Sequence, residues 1–109
     1  MDLAQKKCVA CSSTQAPLNR NGAGALLKHV KGWTLSGDVR WISKEFAFEN
    51  FKDGMVFANK ITDIAEAEGH HPDLCISWGK VVVEITTHAI RGLSENDFIL
   101  AAKIDTIAS

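Results

Sequence analysis

Apolar residues recur every three to four positions in three segments of the chain, which is the period of a helix with one buried face. The first segment, from Ala23 to Val30, ends before Gly32. The second follows Asn50, a residue that can cap a helix, and ends at Gly69. Its predicted apolar face consists of Phe51, Met55, Ala58, Ile61 and Ala65. The third begins at Glu95, because residues 94–97 have the Ser-x-x-acid form of a capping box.

Two pairs of shorter runs are rich in β-branched and aromatic residues, which predicts strands. The first pair, 33–35 and 39–48, is joined around Gly37, and we expect a bulge near Ser43-Lys44. The second pair, 74–78 and 81–87, is joined by a glycine turn. The order helix, hairpin, helix, hairpin, helix predicts an α+β fold, in which three helices pack on one face of a four-stranded antiparallel sheet.

Residues 1–17 lack sustained periodicity and predict an irregular amino-terminal arm, followed by a single domain over residues 18–109. This arm contains Cys8 and Cys11, whose spacing alone is weak evidence for a zinc site because no second ligand pair follows. With Cys75 the cysteines number three, which argues against a closed disulfide framework. No apolar segment resembles a signal peptide, so we expect a cytoplasmic or nuclear protein.

Charge and hydropathy exclude two classes of partner. The chain has 12 basic and 13 acidic residues without a basic stripe, so we expect no direct binding of nucleic acid. No apolar run approaches the roughly 20 residues that span a bilayer, so we expect no membrane segment. A domain of 109 residues buries roughly two thirds of its unfolded surface, and self-association would add stability.

Three of the four histidines, His70, His71 and His88, lie within 19 positions of each other. Glu66 precedes His70 by four residues, so the two side chains are predicted to meet on one helix face as an acid/base pair. His88 is expected at the end of the last strand, and Asp97 at the start of the final helix. One pocket would gather all five residues.

Two other interpretations of the histidines compete with catalysis. A single histidine at the end of an element is often only a solvated surface residue. A metal site would use the same residue types, but neither an HExxH motif nor a facial-triad spacing is present. The aromatic residues are expected in the core, with Trp78 as the exception.

The spacing of these residues is specific. The segment reads Glu66, three residues, His70-His71-Pro72, five residues, Trp78, nine residues, His88, eight residues, Asp97. It resembles the signature of the pterin-4a-carbinolamine dehydratase family at every defined position, and the likeness extends over roughly residues 17 to 105.

The resemblance implies dehydration of 4a-hydroxytetrahydrobiopterin to quinonoid dihydropterin, in tetrahydrobiopterin recycling, without metal or organic cofactor. It implies His70 and His88 as general acid and base, and His71 as a residue that assists and grips the pterin. Glu66 would set the state of His70. The other implied pterin-binding residues are Trp78, Thr87 and Asp97.

The same resemblance implies a homodimer or homotetramer and a functional link to an aromatic amino acid hydroxylase. In animals, a member of the family also serves as a dimerisation cofactor for a homeodomain transcription factor. A non-catalytic binding module on this fold is therefore the alternative function. Such a module would need its helix surface but not its histidines.

Overall fold

In a computed structural model of the protein, residues 2–9 and 15–108 are described. The described elements are, in chain order, α1 (Arg20–Leu27), β1 (Thr34–Leu35), β2 (Ile42–Ala47), α2 (Phe51–Glu68), β3 (Asp73–Ser77), β4 (Lys80–Ile85) and α3 (Glu95–Ala108). The strands form one antiparallel sheet in the order β1-β2-β4-β3, which confirms the predicted α+β fold.

The predicted bulge in β2 is wrong. Pairing between β2 and β4 is unbroken from Ile42 opposite Ile85 to Ala47 opposite Lys80. The error arose because Lys44 occupies a core-facing position between Ile42 and Phe46. Its Nζ lies 4.9 Å from the centre of the Phe46 ring and reaches Asp105 Oδ1 on α3 at 3.0 Å. A lysine that buries its stem in this way interrupts the apolar alternation without interrupting the strand.

The helix ends follow their capping residues. Asn19 Oδ1 accepts a hydrogen bond from Gly22 N at 2.8 Å, so α1 begins three residues before the predicted start. Asn50 caps α2 as predicted, with its side-chain oxygen 2.8 Å from Asp53 N. Gly69 ends α2 in the left-handed conformation at φ 65°, which glycine adopts without steric cost.

The core lies between the sheet and the helices α2 and α3. Phe51, predicted on the buried face of α2, is 47% exposed, because that face is centred on Phe57 and Ile61 instead. Fully or nearly fully buried side chains from the sheet and α3 complete the core: Ile42, Val81, Val83, Ile85, Phe98, Leu100 and Ile104.

The amino-terminal segment, which we define as residues 2–9, packs against α3. A short 3-10 helix at Leu3–Gln5 places Leu3 in the core at 2% exposure. Lys103 Nζ of α3 donates to Ala4 O at 2.8 Å, and Lys6 pairs with Glu95 at 2.7 Å. Cys11 lies outside the described residues. Across the described ranges, no helix combines the length and the apolarity that crossing a membrane requires.

Candidate active site

A cleft of about 420 Å³ lies at the end of the sheet where β3 begins and β4 ends. His70 and His71 enter it from the connection between α2 and β3, and His88 enters from the connection between β4 and α3. Thr87 lines it between them. The antiparallel pairing of β3 with β4 brings both connections to one edge, so residues 18 positions apart share a single cavity.

The ring of His70 is held by a hydrogen bond to the buried carboxylate of Asp97. Its Nε2 lies 2.6 Å from Oδ1 of Asp97, and the side chains are 12% and 0% exposed. Oδ2 of the same carboxylate accepts hydrogen bonds from Thr87 Oγ1 at 2.8 Å and from Ser94 N at 2.9 Å. A carboxylate that accepts on both oxygens requires a donor on each side, so Nε2 of His70 carries the hydrogen. The other ring nitrogen of His70, Nδ1, does not contact Asp97.

The start of α3 explains why a carboxylate is accommodated at this depth. Asp97 stands in the first turn of α3, where the backbone N–H groups favour negative charge. Its bond from Ser94 N is the backward half of the capping box that the sequence predicts. Because Thr87 donates its only hydroxyl hydrogen to Asp97, the 2.8 Å contact between Thr87 and Ser94 has Ser94 Oγ as its donor. Asp97 therefore lies beneath the cleft, where its fully buried carboxylate supports His70, and it is not a surface that a pterin could contact.

The predicted pair of Glu66 with His70 is wrong. Oε2 of Glu66 lies 2.6 Å from Nε2 of His71 instead, and both side chains are largely exposed, at 70% and 60%. The prediction assumed that His70 continues the helix, whereas α2 ends at Glu68 and Gly69 turns the chain away. His70 N then closes the helix by donating to Ala65 O at 3.2 Å.

Of the other site residues predicted from the sequence, His88 and Thr87 lie at the cleft and Trp78 does not. His88 begins a 3-10 helix at His88–Ile90, and its ring meets Trp41 edge to face with 5.8 Å between ring centres. Thr87 reaches the cleft wall, but its hydroxyl is committed to Asp97 and Ser94. Trp78 is 75% exposed in the turn between β3 and β4. That turn is the opposite end of the hairpin, roughly 17 Å away at the rise of a strand, so this chain does not bring Trp78 to the cleft.

The model of the pterin 4 alpha carbinolamine dehydratase family matches residues 16–107. The chain belongs to this family. A protein of Halorhodospira halophila, named provisionally as a pterin-4-alpha-carbinolamine dehydratase, is 47% identical over 100% of both chains. A protein of Methylococcus capsulatus with the same provisional name is 46% identical over 98% of this chain and 94% of its own.

Solved structures show the same fold. A transcriptional coactivator/pterin dehydratase from Brucella melitensis superposes with a TM-score of 0.80 at 27% identity, over 85% of this chain and 99% of its own. A pterin dehydratase-like protein identified as a RuBisCO assembly factor in the alpha-carboxysome superposes with a TM-score of 0.62 at 22% identity, over 72% of this chain and 90% of its own. The second likeness concerns the fold alone.

In this family member, the amino-terminal segment forms a wall of the cleft that sequence reasoning missed. Cys8 and Val9 line the cavity. Asn96 on α3 holds Val9 on both sides, accepting from Val9 N at 3.0 Å and donating to Val9 O at 2.6 Å. Cys8 N donates to Glu68 Oε1 at 2.8 Å, and this bond is the main cause that lowers the pKa of the Glu68 carboxyl. A segment without periodicity gave no sequence signal for these contacts.

Cys8 should react more slowly than Cys75 with thiol reagents. Burial, with a smaller contribution from Glu68, raises the pKa of the Cys8 thiol from 9.0 to about 12, and the thiolate is the reactive form. Cys75 is exposed on β3. In a C11S background, we expect iodoacetamide at pH 8 to modify Cys75 well before Cys8, measured by peptide mass spectrometry. Equal rates in the native protein, with urea-unfolded protein as the reference, would contradict this placement of Cys8.

The raised pKa of the Cys8 thiol also predicts how the folding stability changes with pH. The folded state keeps the Cys8 proton while the unfolded chain releases it above its ordinary pKa of 9.0. The unfolded state therefore binds fewer protons at alkaline pH. The contribution of Cys8 to the free energy of unfolding is fully present below pH 9 and falls as pH rises toward about 12.

Among the described residues, no group of three or more His, Cys, Asp or Glu side chains is arranged to hold a metal ion.

Proposed function

We propose that this chain dehydrates 4a-hydroxytetrahydropterins, 4a-hydroxytetrahydrobiopterin in particular, to the quinonoid dihydropterin and water. The observation that carries the proposal is the meeting of His70, His71 and His88 in one cleft, with a buried carboxylate behind the first of them. Membership of the family supports the same reaction class. The cleft, at about 420 Å³, also falls in the size range of small-molecule sites.

The reaction needs two proton transfers. The bond from C4a to its hydroxyl oxygen breaks as that oxygen gains a proton and leaves as water. The proton on N5 departs, and the electron pair of the broken N5–H bond becomes the new double bond between N5 and C4a. Imidazole side chains titrate near neutral pH and can perform both transfers, each typically contributing about 10²- to 10⁴-fold to the rate.

We assign the two transfers to His70 and His88. Asp97 fixes the ring of His70 with hydrogen on Nε2, so Nδ1 is available to exchange a proton with the substrate. The same carboxylate compensates the positive charge that the ring carries when it takes a proton. His88 is positioned by an edge-to-face contact with the Trp41 ring, on the other connection that borders the cleft.

His71 is assigned a supporting role in holding the pterin. Its ring is exposed at the cleft mouth and is oriented by Glu66, so Glu66 acts on His71 and not on His70. An exposed pair of this kind contributes little to folding stability, which leaves orientation of the ring as its effect. Thr87 is likewise assigned a different role from the one implied by the resemblance: its hydroxyl supports Asp97 and does not bind the pterin.

The direct test is a dehydration assay with synthetic 4a-hydroxytetrahydropterin. We expect purified protein to accelerate loss of the substrate's ultraviolet absorbance well above the spontaneous rate, with and without a chelator. Loss of activity in the chelator would favour a metal mechanism. Absence of acceleration at saturating substrate would favour the alternative, a transcription-cofactor or dimerisation module, a reading that the coactivator part of the Brucella protein's name also supports.

We also propose self-association as a homodimer or homotetramer and a functional link to an aromatic amino acid hydroxylase, as in the family at large. Self-association is supported by large apolar side chains that this chain leaves exposed, namely Phe51, Val56 and Trp78. Burial of these side chains against a second copy would remove apolar surface from water.

A further inference from the structure

A second cleft of about 340 Å³ adjoins the first. We define it as the arginine cleft, and its lining residues are Arg40, Trp41, Thr86, His88 and Arg91. Thr86 and His88 line both cavities. We propose that the arginine cleft binds an acidic group, phosphate or carboxylate, at the end of the side chain of a pterin substrate. The inference rests on the proposed function, because the pterin ring must occupy the first cleft for its side chain to reach the second.

Hydrogen bonds to the backbone place Arg40 next to Thr86 and Arg91 next to His88. Thr86 Oγ1 donates to Arg40 O at 2.5 Å, which ties the chain before β2 to the end of β4. Arg91 ends the 3-10 helix of His88 in the left-handed conformation at φ 56°, and its N donates to His88 O at 3.2 Å. Arg91 is therefore connected to His88 through the backbone, and the two residues border the same cavity.

The charge of the arginine cleft is not neutralised by ion pairs. The ion pairs among the described residues involve lysines and histidines, and neither Arg40 nor Arg91 takes part in one. Asp38 is an acid close to Arg40, and its Oδ1 accepts hydrogen bonds from Ser36 Oγ at 2.6 Å and from Arg40 N at 3.2 Å. The bond from Ser36, and to a smaller degree the charge of Arg40, lower the pKa of Asp38. Both arginines are exposed, and neither guanidinium has an ion-pair partner among the described residues.

These residue types select a ligand class. A guanidinium presents paired N–H donors that match the oxygens of a phosphate or carboxylate, and it keeps its charge at every physiological pH. Trp41 gives the cavity a flat apolar wall along which an uncharged linker can lie. A neutral hydroxylated side chain could occupy the same space, but it would leave the two positive charges without a partner. The cleft therefore adds affinity for pterins with an anionic side chain, which would be accepted in addition to the neutral biopterin substrate of the proposed function.

The test compares pterins that differ only in the terminal group of their side chain. Binding of 6-hydroxymethylpterin, its phosphate monoester and a carboxylate-bearing analogue is measured by quenching of pterin fluorescence in the intact protein, a readout independent of turnover. We expect the anionic forms to bind about tenfold more tightly than the neutral form at low salt, equivalent to about 1.4 kcal/mol. Comparison of the two anionic forms shows which acid is preferred.

Two variants test whether the arginines cause the preference for anionic pterins. In the double variant with Arg40→Gln and Arg91→Gln, the affinity ratio of anionic to neutral pterin should fall to near one. Arg20→Gln is the matched control, because Arg20 bonds to Gly37 O at 2.8 Å outside the cleft, and it should keep the ratio. A ratio near one in the unmodified protein, or a ratio that survives the double variant, would overturn the subsite while leaving the dehydratase proposal intact. Failure of every pterin to bind would overturn both.

Discussion

Replacing His70 and His88 together by alanine is expected to lower kcat/KM for dehydration by at least about 10³-fold. The estimate takes about 10²- to 10⁴-fold for each lost proton transfer and allows for the non-additivity of groups that act on one substrate. The measurement is the initial rate of dehydration after subtraction of the spontaneous rate. Full activity in this double variant would refute the histidine mechanism.

The control for this experiment is the fourth histidine. His29 is exposed after the end of α1 and borders neither cleft, so His29→Ala should retain the original rate. His70→Ala also leaves Asp97 without one of its donors, which can destabilise the fold. His70→Gln provides a second variant, because its amide N–H can still donate toward Asp97 but cannot exchange a proton near neutral pH. We expect His70→Gln to be folded and to be as inactive as the single variant His70→Ala.

The fold could be predicted from local signals because its elements carry strong ones. The capping residue Asn50, the helix stop at Gly69 and the capping box at Ser94 each act within a few residues of the chain. Errors occurred where a distant contact overrode the local pattern. Lys44 looks like an interruption of β2 until its ion pair with Asp105, 61 positions away, is known.

The candidate site shows the same limit. The sequence pattern was sufficient to group His70, His71 and His88, because a hairpin must bring its two ends together. It could not choose the carboxylate partners, since Glu66 would meet His70 only if the helix continued through His70, whereas α2 ends at Glu68. It also could not reveal that Asn96 fixes Val9 against the cleft, because the two residues are 87 positions apart.

Changing the buried carboxylate of Asp97 separates its two roles. Asp97→Ala leaves the donors on His70, Thr87 and Ser94 without an acceptor, and we expect a loss of about 3 kcal/mol in the free energy of unfolding. Asp97→Asn keeps the shape and should cost less. Urea denaturation of each variant, with unchanged slope against denaturant, measures this difference.

Asp97→Asn should nevertheless lower kcat/KM by about 10²- to 10⁴-fold in protein that remains folded. An amide has only one acceptor oxygen, and if it faces Ser94 N, its NH₂ group faces His70. Nε2 would then have to accept, and the hydrogen would move to Nδ1, the nitrogen assigned to the substrate. Asp105→Asn is the matched control on the same helix, because Asp105 bonds to Trp33 and Lys44 away from the cleft. It should lower stability but retain kcat/KM, whereas equal kinetic losses in both variants would reduce the role of Asp97 to folding alone.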